Sequence, residues 1–152
     1  MTEIRFYHMT RMPLEAVLPV MLERTVNRDG RRAVVMASSS DRVEALNTHL
    51  WTLEDRGFLP HGSRVDGHAQ HQPVWLTDAD EIPNGAAVLF LTDGAASTHL
   101  DDVDLVCELF DGNDPAATDA ARGRWKAYKE AGHALTYWQQ TERGGWEQKA
   151  SG

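Results

Sequence analysis

Apolar and polar residues alternate from Glu3 to Met9, with Ile4 and Phe6 set against Arg5 and Tyr7. This period of two predicts a β-strand. Pro13 suits the first turn of a following helix, where its missing N–H costs nothing. Leu14, Val17, Leu18, Met21, Leu22 and Val26 then recur at helical spacing, and Gly30 can end the element. Ala33 to Ala37 is a continuous apolar run, the pattern of a strand covered on both faces. Ser38, Ser39, Ser40 and Asp41 supply N-cap chemistry for a second helix carrying Val43, Leu46 and Leu50. Runs at 86–91 and 103–110 fit further buried strands, and 73–76 fits a short peripheral one. Asp114 followed by Pro115 predicts a capped helix running to about Ala131 and stopping at Gly132. His133 to Trp138 reads as the last strand, and the end from Thr141 is expected to fray.

A β-α-β-α opening points to a parallel sheet with helices on both faces, a Rossmann-like three-layer α/β sandwich. At 152 residues the expectation is a single domain over 1–152, large enough to bury a core without a metal or disulfide staple. The lone cysteine, Cys107, lies in an apolar run, so a disulfide within the chain and a thiolate metal cage are both excluded. No basic-then-apolar leader opens the chain and no apolar run approaches a membrane span, so the expected compartment is the cytoplasm, with no membrane partner. The formal net charge of −8 sets the mean surface field against a polyanion, so direct DNA binding is disfavoured.

The phosphate motifs of a nucleotide-binding sheet are missing. After the first strand come His8, Met9, Thr10, Arg11, Met12 and Pro13, with no glycine to let the backbone approach a pyrophosphate. Neither a P-loop nor a G-x-S-x-G elbow occurs. The serines before the second helix read as caps. His61, His68 and His71 cluster in a Gly-rich loop at spacings that match no standard zinc pattern, and read as exposed loop histidines. The acidic stretches 78–81 and 101–104 read as solvated loops. No catalytic residue, metal or cofactor is expected. A small nucleotide-binding protein or hydrolase on this fold is the alternative, and it predicts a polar cleft at the carboxyl ends of the strands.

Two segments stand out. On the helix after Pro115, Thr118, Arg122, Trp125, Lys126 and Lys129 share a face at offsets of four, seven, eight and eleven residues. Ala117, Ala121, Tyr128 and Ala131 lie opposite, suited to packing on a sheet. Cations around an indole suit an acidic peptide with an aromatic anchor, whereas a half-buried Trp125 would leave the cations as surface decoration. The second segment is Leu50-Trp51 with Phe58 and Pro60, apolar residues in a stretch too short for a regular element. They either plug the sheet edge or present a hydrophobic partner site.

The chain resembles the chi subunit family of DNA polymerase III. The matching pieces are Phe6-Tyr7, Leu50-Trp51, the stretch Phe58-Leu59-Pro60-His61-Gly62, Pro73-Val74, the stretch Leu109-Phe110-Asp111-Gly112, Ala121-Arg122, the stretch Trp125-Lys126-Ala127-Tyr128-Lys129, and Gly132. Their order and spacing together carry the likeness. The resemblance implies a Rossmann-like fold without a nucleotide site, and an adaptor in DNA replication that touches DNA only indirectly. It implies that the acidic, Phe-terminated tail of single-stranded-DNA-binding protein is bound near the last helix. Arg122 matches the arginine that meets the tail's carboxylates, Trp125 the aromatic beside the terminal Phe, and Phe110 and Asp111 the lip of the pocket. Thr118 stands where some relatives carry lysine, which implies one ionic contact fewer. It also implies a second partner, the psi subunit of the clamp-loader assembly or a helicase-like protein, at Trp51, Phe58 and Pro60.

Overall fold

The computed structural model describes residues 2–52 and 60–152. Along the chain come β1 (Glu3–Met9), α1 (Leu14–Glu23), β2 (Ala33–Met36), α2 (Ser40–Trp51), β3 (Val74–Thr77), β4 (Val88–Thr92), β5 (Leu105–Asp111), α3 (Pro115–Glu130), β6 (Ala134–Gln140) and β7 (Trp146–Ser151). The strands form one seven-stranded sheet in the order β3-β2-β4-β5-β1-β6-β7. All neighbours are parallel except β6 and β7. This is the expected three-layer α/β arrangement, with β3 at the periphery.

Burial on both faces explains the continuous apolar strands. On one side α1 and α2 cover Val35, Leu76, Phe90 and Leu109 with Leu18, Leu22, Val43 and Leu46. On the other, α3 places Ala121, Trp125 and Tyr128 over Ile4, Phe6 and Leu135. The rest of that second face is closed by the irregular crossovers after β3 and β4, whose Ile82, Ala86, Ala95 and Leu100 join the same core.

The acidic stretch 78–81, expected to be merely solvated, holds these crossovers in place, whereas Asp101, Asp102 and Asp104 of the other stretch are exposed as expected. Glu81 accepts from the Trp75 indole (3.1 Å) and the Thr77 hydroxyl (2.8 Å). Asp80 accepts from Ser97 Oγ (2.6 Å) and from the Thr98 amide (2.9 Å) and hydroxyl (2.6 Å), which ties one crossover to the other. Those bonds draw the Asp80 carboxyl below its usual range against the opposing effect of burial.

Pro13 takes the cap position of α1 rather than its first turn, and Pro19 lies within the helix. A proline there frees the carbonyl four residues back. Glu15 is that residue, and its carbonyl accepts from His49 Nε2 of α2 at 2.8 Å, so the break also docks the two helices. The helix continues as one π-helical turn over Arg24–Arg28 before Gly30, at φ 64°.

The expectation of a frayed end from Thr141 is corrected. The chain turns through Gly144, at φ 83°, with Thr141 donating to the Gly145 carbonyl (2.8 Å), and returns as β7 antiparallel to β6. Trp146 then sets its ring edge-on to Tyr7 at 5.0 Å. The paired glycines were a readable hairpin signal.

Candidate functional site

Asp114 caps α3 through a bond from the Ala116 amide (3.0 Å), and Pro115 opens its first turn. Ala121 is buried against the sheet, which fixes the roll of the helix. Trp125 lies four residues on, directly above it, and Tyr128 three beyond that. The Trp125 ring is consequently half-buried, edge-on to Phe6 (5.4 Å) and to Tyr137 (5.9 Å). Of the two readings of this helix, the structure shows the half-buried Trp125 and not an indole turned wholly outward with the cations. The i, i+4 relation to the small Ala121 was the signal for it.

The cations keep the expected outward position. The Arg122 side chain is 75% exposed, with one guanidinium nitrogen 3.7 Å from an equally open Asp119 oxygen. Lys126 and Lys129 are exposed on either side of the indole's helical position. Thr118 is turned back on its own helix, its hydroxyl donating to the Asp114 carbonyl at 3.1 Å. Phe110, expected at a pocket lip, is buried and forms wall rather than rim, because the central strand β5 is covered on both faces. Asp111 is exposed, and its carboxylate accepts from the Asn113 amide (2.9 Å).

Two residues of this wall were missed from sequence. His8 packs on Phe110 (5.1 Å), and its Nδ1 lies 2.6 Å from the Tyr137 hydroxyl. Strand alternation places Phe6 and His8 on the α3 side of β1, and Leu135 and Tyr137 on the same side of β6. That period was readable, but the meeting of two strands through β1–β6 pairing was not. Burial lowers the His8 imidazole and raises the Tyr137 phenol, and the nearby Arg122 charge pushes both downward. Gly112 is sterically required beside them, since a Cβ there would fall 1.9 Å from the His8 ring and 2.8 Å from the Met9 carbonyl oxygen.

Beneath α3 lies a charge that sequence inspection also passed over. Glu108, in the middle of β5, is 1% exposed and accepts from Arg124 Nε (3.1 Å) and the Tyr128 hydroxyl (2.8 Å). Burial raises its carboxyl above the usual range in spite of the guanidinium.

The carboxyl ends of the strands bound a cleft of about 790 Å³, lined by residues that include Thr10, Arg11, Arg42, Asp93, Asn113 and Arg124. Its donors are engaged internally. Gln140 Oε1 accepts from the amides of Thr10 (3.3 Å), Arg11 (2.9 Å) and Met12 (2.9 Å), the turn that faces pyrophosphate in dinucleotide-binding folds. Arg42 is held between Glu15 (2.5 Å) and Asp93 (2.9 Å). The alternative of a nucleotide site therefore finds its backbone cradle filled by a side chain of the same protein. A thermal-shift screen with mono- and dinucleotides is expected to give no upward shift, whereas a true ligand at a hundredfold excess over its Kd would add about 2.7 kcal/mol.

At the far end of α2, Trp51 is 54% exposed and lies over the His61 ring at 4.0 Å. The expectation of three exposed loop histidines is corrected here. His61 is buried, with Nε2 donating to the Asn47 carbonyl (3.3 Å), while His68 and His71 are exposed. The neighbouring Gly62 bridges to Trp75 of β3, its amide donating to the Val74 carbonyl (3.0 Å) and its carbonyl accepting from the Leu76 amide (2.9 Å), which holds this loop along the sheet edge. Pro60 is half-buried, and Phe58 lies outside the described residues. Trp51 stands on the α1–α2 side of the sheet and Arg122 on the α3 side. Among the described residues, no group of three or more His, Cys, Asp or Glu side chains is placed to hold a metal. No described helix is long and apolar enough to cross a membrane.

Residues 1–136 match the family model described as DNA polymerase III chi subunit, HolC. A protein of Rickettsia prowazekii (strain Madrid E), named "Probable DNA polymerase III subunit chi", is 37% identical over 60 residues. That alignment covers 40% of this chain and 36% of the relative, so it spans about a third of the relative's length.

Proposed function

This chain belongs to the DNA polymerase III chi subunit family, and from that premise we propose that it is a non-catalytic adaptor of the replicative polymerase assembly in the cytoplasm. In this reading α3 captures the acidic C-terminal tail of single-stranded-DNA-binding protein. The Trp51 end of α2 holds a second protein, the psi subunit of the clamp-loader assembly or a helicase-like protein.

The observation that carries the reading is Arg122, three-quarters exposed and, among the described residues, ion-paired through a long contact to Asp119 alone, beside a half-buried indole and two exposed lysines. A guanidinium in that state is available for a carboxylate, and the open part of Trp125 offers an aromatic edge for a terminal Phe. One aromatic anchor with one or two ion pairs supports a Kd near 1 μM, about −8 kcal/mol. Several tails on one multimeric partner would raise the effective affinity without new contacts. The net charge of −8 keeps the remainder of the surface from competing for DNA phosphates.

Fluorescence anisotropy with a labelled acidic peptide ending in Phe tests the reading. Arg122→Ala is expected to weaken binding about tenfold, or about 1.4 kcal/mol, through loss of a charge-assisted bond at an exposed site. Trp51→Ala is expected to leave the peptide affinity within about twofold, since sites with no shared partner behave independently. Equal losses from both changes would contradict two sites, and salt-sensitive binding of bare oligonucleotides would favour a DNA-binding role instead.

A further inference from the structure

The last strand follows the residues that match the family model, yet its end reaches the α3 surface. Trp146 opens β7 on the α1–α2 side of the sheet, against Tyr7. Under strict alternation every second residue from Trp146, Gly152 included, would keep that side. The strand does not alternate strictly. Tyr137 pairs with Ala150 and Trp138 with Gln148, so Lys149 is an extra residue, a β-bulge. One extra residue moves everything beyond it to the opposite face. Gly152, joined to Leu135 by two backbone bonds (2.9 and 3.3 Å), therefore ends β7 on the α3 side.

There it meets the indole. A Cβ added at Gly152 would stand 3.1 Å from Trp125 Cζ2, 3.6 Å from Trp125 Cε2 and 3.6 Å from Lys129 Cδ. Cε2 is the ring atom bonded to the indole nitrogen. Among the described residues the Trp125 N–H donates to no protein group, and it is not one of the buried side-chain atoms without a partner, so it opens to solvent. Lys129 stands four residues on, along the same edge of the ring, exposed and without an ion pair among the described residues. Gly152 is exposed as well. Its missing side chain leaves donor, ring edge and lysine stem together at the surface as one shallow niche.

Resting on the acidic-tail reading above, we propose that the end of β7 is a wall of the peptide site, where Trp125 N–H donates to the acidic peptide and glycine at 152 keeps the niche open. The bulge is what brings this wall to the α3 side. Arg122 and Lys129 are seven residues apart, about 10 Å along the helix. An extended chain covers that distance in about three residues. The ligand that fits is therefore an extended acidic segment, with one carboxylate at Arg122 and another near Lys129.

The test titrates a fluorescein-labelled peptide of Asp residues ending in Phe into the full chain. Gly152→Leu fills the niche and should weaken binding about three- to tenfold, the loss of one hydrogen bond with its packing. Its urea midpoint should stay at the wild-type value, because the position is exposed. In NMR spectra of the wild type, added unlabelled peptide should shift the Trp125 indole N–H and the Ser151 and Gly152 amides, and leave the Trp51 indole unmoved. Gly152→Leu binding within about twofold of wild type, while Arg122→Ala still weakens it about tenfold, would overturn the wall and leave the adaptor reading intact. Unmoved Trp125, Ser151 and Gly152 resonances at saturating peptide would do the same. Absence of peptide binding would overturn both.

Discussion

Arg124→Ala is expected to destabilise the fold by about 3–5 kcal/mol, the usual consequence of stranding a buried charge. Glu108 is 1% exposed in the central strand β5, and Arg124 Nε is its cationic partner at 3.1 Å. Without the guanidinium, the Tyr128 hydroxyl is the one donor to that carboxylate left among the described residues. Equilibrium urea unfolding checks the loss through a lower midpoint at an unchanged slope. The pair itself need not add net stability, because two desolvated charges can do no better than well-packed apolar residues of similar volume. A combined Glu108→Leu and Arg124→Met change should therefore recover most of what the single Arg124 change loses.

The pH dependence of that loss has a definite sign. Glu108 has a folded-state pKa above its unfolded value, so the folded state binds the proton more tightly. Its contribution is complete below the unfolded pKa, near the ordinary 4.5 of a Glu, and is lost as pH rises through the raised folded value. Removing Arg124 takes away a group that lowers the Glu108 pKa, which enlarges the effect. The stability gap between wild type and Arg124→Ala should accordingly narrow as pH is lowered from 8 towards 5. Taking the difference cancels carboxylates such as Asp66 and Asp80, whose lowered values act in the opposite sense in both proteins. A gap that widens on acidification would show that Glu108 is not the stranded group.

Gln140→Ala is expected to cost about 2–3 kcal/mol, since a buried acceptor shared by three backbone donors is lost and each donor left unmet costs about 1–3 kcal/mol before water partly replaces it. Gln140 is 4% exposed, ends β6, and holds the β1–α1 turn through the Thr10, Arg11 and Met12 amides. The loss should be local as well as global. Hydrogen exchange at those amides should quicken more than exchange in β5. Gln140→Glu keeps an oxygen at the position and should cost less than the alanine change. If Gln140→Ala leaves both the urea midpoint and the exchange of those amides unchanged, the turn is held by something other than this side chain.

The same residue shows why the nucleotide alternative could be weakened from sequence but argued on positive grounds only from coordinates. The missing glycines after β1 were visible in the string His8 to Pro13. That the three amides are occupied depends on Gln140, 128 to 130 residues away, and on the parallel pairing of β6 with β1. No local pattern encodes that distance.

Elements set by local chemistry were legible in the amino-acid order. Alternation placed β1, apolar runs placed β2, β4 and β5, and the Asp114-Pro115 pair placed the start of α3, because each depends on neighbours within a turn or a pleat. The outward set of Arg122, Lys126 and Lys129 was legible for the same reason, being fixed by the angular step of the helix. The burial of His61, the Glu108–Arg124 pair and the meeting of His8 with Tyr137 were decided by tertiary structure alone. Each depends on which face of one element settles on another, and side chains far apart in the chain acquire their electrostatics only when the sheet brings them within hydrogen-bonding or ring-packing distance. The sequence determined where cations stand along α3; the packing of that helix on β1 and β6 decided what stands beside them.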